Sequence, residues 1–320
     1  MRVLVTGAGG MVGSHMVEIL HKEGHDVLGT YYKPTTDITE LDQEIRMQEM
    51  DVRYYHTVLN TISSFKPDQI FHLAAQSYPT VSWTNPQATI DTNANGTINV
   101  YEAIKEIRKT DPSYDPMVVV ACSSAEYGQT LEELPIDNPY VLETAQLKPL
   151  HPYGVSKVGQ DLLSFQYYMN DHIRCIRVRI FNSTGTRKVN DVTSDFTHRA
   201  VIAERTGKYE IRVGNLNTRR AIMDQRDLVR GLRLLAEKGT AGDVYNLSSE
   251  HIYEMKDIVT MIEEQIGHKL EIQVDPALIR PTDERIIIGD IHKLQTATGW
   301  KQEITMQQTV HDMLEYWRNK

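Results

Sequence analysis

Tyr153 and Lys157, four residues apart in YGVSK, are the pair in this sequence best suited to moving a proton. At that spacing on a helix, both side chains lie on one side, one turn apart. A free phenol titrates near ~10, too high for a base at neutrality. A neighbouring ammonium, and any further positive charge beside it, would favour the phenolate and lower that value. Ser123 follows an apolar run in VVVACSSAEYG and adds a hydroxyl 30 residues before Tyr153. The three together could hold a carbonyl oxygen and exchange its proton. An isolated Y-x-x-x-K is common on helix surfaces. What gives this one meaning is its order in the chain, after a glycine turn and after Ser123.

That turn is GAGGMVG at positions 7 to 13, directly after a β-branched run and at the start of a helical pattern. Gly7 permits a tight turn, Gly10 lets a pyrophosphate approach the backbone, and Gly13 allows close contact of helix and strand. The helix amino terminus supplies amides and partial positive charge to such an anion. A dinucleotide site needs a reader of the adenosine ribose about 20 residues on, an acid for a 2′-hydroxyl or a cation for a 2′-phosphate. Here GTYYK places Tyr31 at the acidic position with Lys33 close behind, which favours NADP(H) over NAD(H). Asp51, at the end of a third strand in QEMDV, could accept from the adenine amino group.

These residues must be carried by alternating strands and helices. Arg2–Thr6, 26–30, 68–73, 117–121 and 174–180 read as buried strands, being compact apolar runs without a helical period. Helices are predicted at Met11–Lys22, 54–65, 88–107 and 155–170. This succession implies right-handed crossovers and a Rossmann-type, doubly wound parallel α/β sheet. After Phe181 the strands shorten, so residues 1–181 are expected to form the dinucleotide-binding domain. Residues 182–320 are expected to form a smaller mixed α/β lobe, with segments free to exchange between the two.

The 320-residue chain carries 34 basic and 43 acidic residues, a net charge of -9 that disfavours nucleic acid and anionic membrane surfaces as partners. Its two cysteines lack a metal-ligand spacing, and its 12 histidines form no H-E-x-x-H pattern, so no catalytic metal is expected. Reduced thiols, no signal-peptide layout and no run of about 20 apolar residues lead to the expectation of a cytoplasmic enzyme.

GAGGMVG, HLAAQS at 72 to 77, SSAEYG at 123 to 128 and YGVSK resemble the extended short-chain dehydrogenase/reductase superfamily. FNSTG at 181 to 185, VGNLNTRR at 213 to 220 and LIRPTDERIIIGD at 278 to 290 resemble its GDP-mannose 4,6-dehydratase and GDP-6-deoxy-4-ketohexose reductase branch. The resemblance implies that Ser123 bonds the sugar C4 oxygen, Tyr153 exchanges its proton, and Lys157 binds the nicotinamide ribose. It also implies cofactor contacts from Met11, Val12, Val52, Leu73, Ala74 and Ala75. Substrate contacts are implied for Ser77, Ser124, Glu126, Asn182 and Thr193. Arg220 and Arg280 would meet the diphosphate, which suits bidentate recognition of phosphate oxygens. Asp283 would meet the nucleotide ribose. Ala221 stands where the family has an acid beside Arg220. A homodimer or dimer of dimers is implied by the helices at 88–107 and 155–170.

In that family a 4,6-dehydratase needs additional acid/base groups from a T-S-E or T-D-E run just before YG. Registered on Tyr127-Gly128, the run here is Ser123-Ser124-Ala125, with a methyl group where the glutamate belongs. Glu126 is one residue late, and in an extended backbone it would point to the opposite side. A reductase or epimerase acting at C4 needs only a hydride carrier and one proton carrier. The expected activity is therefore NADPH-dependent reduction of a 4-keto-6-deoxy sugar nucleotide, GDP-linked for preference. The alternatives are a C4 epimerase, a dehydratase that recruits Glu126, or a sensor that binds sugar nucleotides without turnover.

Overall fold

The computed structural model describes residues 1–189, 191–278 and 286–320. Six strands come from the first half: β1 (Arg2–Thr6), β2 (Asp26–Tyr31), β3 (Arg46–Glu49), β4 (Gln69–His72), β5 (Met117–Ser123) and β6 (Cys175–Ile180). The short strands β7 (Ser183–Thr184), β8 (Glu210–Val213), β9 (Arg219–Ala221) and β10 (Met223–Asp224) precede β11 (Val244–Leu247). Then follow β12 (Ile252–Glu254), β13 (Glu271–Val274) and β14 (Ile286–Ile287). The helices of the first half are α1 (Met11–Lys22), α2 (Tyr55–Phe65), α3 (Pro79–Thr84), α4 (Pro86–Ile90), α5 (Gly96–Arg108), α6 (Gln129–Glu133) and α7 (Pro152–Asp171). Those of the second are α8 (Val192–Thr206), α9 (Gln225–Lys238), α10 (Met255–Ile266), α11 (His292–Thr298) and α12 (Met306–Arg318). Among the described residues no helix is long and apolar enough to cross a membrane.

The main sheet runs β11-β6-β5-β4-β1-β2-β3, with every pair parallel. Its strands are apolar throughout because both faces are covered. Successive side chains go to opposite cores: Val3, Val5, Phe71, Val119 and Val178 pack with α1 and α9. Leu4, Ile70, Val118, Val120 and Cys175 pack with α2, α5 and α7. Strand order reverses between β1 and β4, and in such sheets ligands bind in the crevice beyond the carboxyl ends of those strands. The Rossmann-type sheet expected from the sequence is present.

The carboxyl-terminal half builds a second core from Phe196, Val201, Ile211, Ile258, Ile262 and Val310 on α8, β8, α10 and α12. Part of that half returns to the first. In the main sheet, β11 pairs with β6 from Val244–Arg177 to Leu247–Ile180, and Leu228, Leu232 and Leu235 of α9 share a core with Met16 and Val17 of α1.

The helix expected over 88–107 is broken into three pieces. Between α4 and α5 the five residues Asp91–Asn95 form a π turn. A wide turn of this kind inserts an extra residue into the helical ladder and re-aims a side chain. Here it directs Asn93 inward, where its Oδ1 accepts from Gln76 N (2.8 Å) and its Nδ2 donates to Ser156 Oγ on α7 (2.8 Å).

Candidate active site

The glycine turn leaves the end of β1 with Gly7 at φ +74°, the left-handed region. A Cβ at Gly7 would lie 2.7 Å from Ala74 N, and one at Gly13 would lie 2.2 Å from Gly7 O. Neither position tolerates a side chain, so the turn presses against β4 while α1 presses against the turn. At Gly10 an added Cβ would meet nothing closer than Gly7 O at 3.4 Å, which leaves the cradle open to a ligand. α1 starts there, with Ser14 N donating to Gly10 O (2.8 Å). Met11 and Val12 lie half-buried in its first turn, and Leu73, Ala74 and Ala75 lie half-buried beyond β4. These features fit the diphosphate of a dinucleotide.

At the end of β2, Tyr31 is half-buried beside Gly9, whose added Cβ would lie 3.0 Å from Tyr31 Cβ. Lys33 is exposed and holds φ +48°. Its ammonium lies 5.3 Å from the Tyr32 ring centre, and the Arg53 guanidinium lies 5.4 Å from the same ring. Two cations thus meet on one aromatic ring. Arg53 forks onto Asp51, donating from Nη2 at 2.6 Å and from Nε at 3.0 Å. Burial raises the Asp51 carboxyl, but the Arg53 bonds outweigh it and hold the group below its usual range. The carboxylate expected to meet an adenine amino group therefore serves first to anchor Arg53, with Val52 buried between them. Sequence reading missed Arg53, and the cue available was its place directly after Asp51-Val52.

The reactive cluster forms where β5 ends and α7 begins. Ser123 caps a short turn over Ser124–Glu126, its Oγ accepting from Ala125 N (3.2 Å). α7 docks on that turn through Gly154, where a Cβ would lie 2.6 Å from Ala125 O. This approach brings the Tyr153 phenol near Ser123, whose hydroxyl favours its ionised form. His151 caps α7 by accepting from Gly154 N (3.0 Å), and its ring lies 5.9 Å from that of Tyr153. Lys157 Nζ donates to Ala121 O and to Gln160 Oε1, both at 2.7 Å. Gln160, Gly154 and His151 were not singled out from sequence, because only the fold places them.

The electrostatics correct one expectation. Burial pushes the Tyr153 phenol up to about 12, with Ser123 opposing and Glu126 and Cys122 adding to the rise. Lys157, its nitrogen 5.8 Å from the Tyr153 ring centre and bonded to Ala121 O and Gln160, does not offset that rise. Burial brings Lys157 itself down to about 8, against the pull of Cys122 and Glu126. Within the protein the pair is a neutral phenol and an ammonium at neutrality.

Glu126 is a second correction. The backbone at 124–126 is a tight 3-10 turn rather than an extended strand, and Glu126 folds back into the interior. It is fully buried, accepts from Ser123 N (2.8 Å) and pairs with Arg179 at 3.3 Å. Asp161 of α7 binds the same arginine (2.8 Å) and also Arg177 (2.6 Å). Burial and then the Asp161 charge push the Glu126 carboxyl well above its usual range. Glu126 stiffens the turn that carries Ser123 and is not exposed to meet a substrate.

The remaining expected substrate residues differ in burial. Ser77 is exposed and Ser124 half-buried, while Thr193 is buried on the first turn of α8. Asn182 follows β6, and its buried Nδ2 has no hydrogen-bond partner among the described residues, as befits a donor held for a ligand. Arg220 lies half-buried on β9, its Nη1 donating to Arg219 O (3.1 Å). Arg280 and Asp283 lie outside the described residues.

Comparison with known proteins gives consistent matches over the whole chain. The family model described as GDP-mannose 4,6 dehydratase matches residues 4–313. The GDP-6-deoxy-D-mannose reductase of Pseudomonas aeruginosa is 27% identical over 323 residues, covering 100% of this chain and 98% of the reductase. The GDP-mannose 4,6-dehydratase of Vibrio cholerae is 25% identical, covering 97% of this chain and 92% of its own length. Among solved structures, RMD from Pseudomonas aeruginosa complexed with NADPH superposes with a TM-score of 0.84 at 25% identity, covering 100% of this chain and 99% of that one. A UDP-glucose 4-epimerase from Thermotoga maritima reaches 0.88 at 23% identity with the same coverage, a likeness of fold.

Proposed function

The chain belongs to the GDP-mannose 4,6 dehydratase family and is an NAD(P)-dependent sugar-nucleotide enzyme; we propose that it uses NADPH to reduce the C4 carbonyl of a 4-keto-6-deoxy sugar nucleotide, GDP-linked for preference. One observation carries this reading. The position that would hold a dehydratase's extra acid is Ala125, and the nearest carboxylate, Glu126, is locked inward on Arg179. Among the described residues of the cluster, Ser123, Tyr153 and Lys157 are then left to act, and they suffice for chemistry at C4.

A bound reduced nicotinamide supplies the hydride. As negative charge grows on the C4 oxygen, Tyr153 transfers its proton to it while Ser123 donates a hydrogen bond to the same atom. A phenol kept protonated by burial suits this direction, in which Tyr153 is an acid. Lys157 holds the nicotinamide ribose. The carbonyl becomes an alcohol, and Tyr153 is reprotonated from solvent. Lys33 and Arg53, gathered on Tyr32 with no carboxylate at position 31, support NADPH over NADH.

The test is an assay with GDP-4-keto-6-deoxymannose. Oxidation of one NADPH per sugar reduced supports the reading. Conversion of GDP-mannose without added reductant would overturn it in favour of a dehydratase. Nicotinamide released on denaturation, with no net NADPH consumption, would overturn it in favour of an epimerase. Running the assay across GDP, CDP, UDP and dTDP sugars identifies the base.

A further inference from the structure

Behind Lys157 a line of buried polar groups crosses beneath the sheet's carboxyl edge. Lys157 donates to Gln160 Oε1 (2.7 Å), and Gln160 Nε2 donates to Thr97 Oγ1 (2.9 Å). Since an ammonium can only donate, the amide orientation of Gln160 is fixed. Thr97 spends its single hydroxyl proton on Asn93 O (2.6 Å), a carbonyl of the π turn. His72 Nε2, at 3.0 Å from Thr97 Oγ1, must therefore carry a hydrogen and donate. His72 Nδ1 then accepts from Thr6 Oγ1 (2.9 Å), which in turn accepts from Ala74 N (3.2 Å). Every member has one role, and Thr6, His72, Thr97 and Gln160 are almost wholly shut off from solvent. The line ends at Ala74, against which Gly7 of the glycine turn is packed.

Two of the three Lys157 hydrogens are thereby assigned, to Ala121 O and Gln160 Oε1. Tetrahedral geometry then fixes the direction of the third. We propose that Gln160, braced by Thr97 and His72, is a positioning residue that holds Lys157 as a correctly aimed ammonium and couples it to the floor of the dinucleotide cradle. The proposal rests on the reading of Lys157 as the group that holds the cofactor ribose.

The titratable groups facing Lys157 are Cys122 on β5, Glu126 in the turn that follows it, His72 on β4, and Tyr153 on its own helix. His72 is driven down to about 3 by burial and by Lys157, and burial raises the Cys122 thiol well above its usual value. Tyr153 stands up at about 12, and Glu126 is raised above its usual range on Arg179, so a transition near pH 8 is assigned to Lys157 by its response to Gln160, the residue its ammonium bonds.

The experiment measures the pH dependence of NADPH dissociation by fluorescence titration, together with that of kcat/KM, in the wild type, Gln160→Leu and Gln160→Glu. In the wild type, binding weakens as pH rises through about 8. Gln160→Leu removes an acceptor from the ammonium and moves that midpoint acid-ward by about one unit. Gln160→Glu adds an opposite charge and moves it alkaline-ward. Unchanged midpoints in both variants would overturn the proposal, whatever happens to amplitude or melting temperature, since a packing role changes only those. If the leucine variant does not fold, the sign of the glutamate shift decides. A wild-type binding profile that is flat through pH 8 overturns the Lys157 assignment and the proposal together. The binding readout needs no sugar substrate, so an error in the proposed substrate leaves it intact.

Discussion

Tyr153 acts as an acid in the proposed direction, so removing its hydroxyl takes away the proton delivered to the C4 oxygen. Tyr153→Phe is expected to lower kcat by ~10²–10⁴-fold. NADPH affinity, measured by fluorescence titration, should be preserved. Lys157 is charged below about 8, and turnover is expected to fall as pH rises through that value. Stability has the opposite slope. The folded pKa lies below the usual 10.5, so the folded state binds fewer protons between about 8 and 10.5 and stability rises across that window. The full cost is present below about 8, and Lys157→Met should abolish this part of the pH dependence in urea titrations. At the other end of the cofactor, Arg53→Ala is expected to lower the NADPH over NADH preference by ~10-fold or more, with NADH binding held, by the same titration. The spacing of Ser123, Tyr153 and Lys157 was readable because it is local. Arg53 was not, because its value comes from sharing Tyr32 with Lys33. Glu126 was misread because a tight turn, rather than a strand, follows β5.

The helix α7 is the element on which the site depends most. Its first turn meets the 124–126 turn with no room at Gly154, so Gly154→Ala must push Tyr153 away from Ser123. Displacement of a catalytic group by ~1 Å costs about 10²-fold, and kcat is expected to fall by that order while the melting temperature drops only slightly. Along the outer face of the same helix, Val155, Leu162, Phe165 and Met169 are exposed at helical spacings of 7, 3 and 4. We propose that a second copy of the chain covers this stripe. Leu162→Glu together with Phe165→Glu should then reduce the solution mass measured by light scattering to that of one chain. The position of α7 was legible from the sequence, and so was the strand–helix alternation around it. The π turn at Asp91–Asn95 was not, since it depends on Asn93 finding Gln76 and Ser156 across the fold.

At the scale of the whole molecule, the division at residue 181 describes where the chain pattern changes rather than where a foldable unit ends. The first lobe borrows β11 for its sheet and α9 for one face. A fragment of residues 1–181 is expected to remain largely insoluble, or to lack a cooperative melt by circular dichroism, because β6 would keep an open edge and Leu20 and Val178 would lose the α9 side chains in their shared core. Co-expression of residues 182–320 with it should restore solubility. The return of β11 could not be read locally, because a four-residue apolar strand carries no mark of its partner.

This borrowing also sets a timetable for biosynthesis. Strands β1 to β6 emerge from the ribosome well before residues 244–247 exist, and the nascent polypeptide must wait with the flank of β6 uncovered. Closure demands contacts far apart along the chain, which makes assembly slow and leaves the waiting intermediate prone to self-association. Chaperone capacity during translation, more than the strength of the finished enzyme, is then expected to limit the yield of active protein.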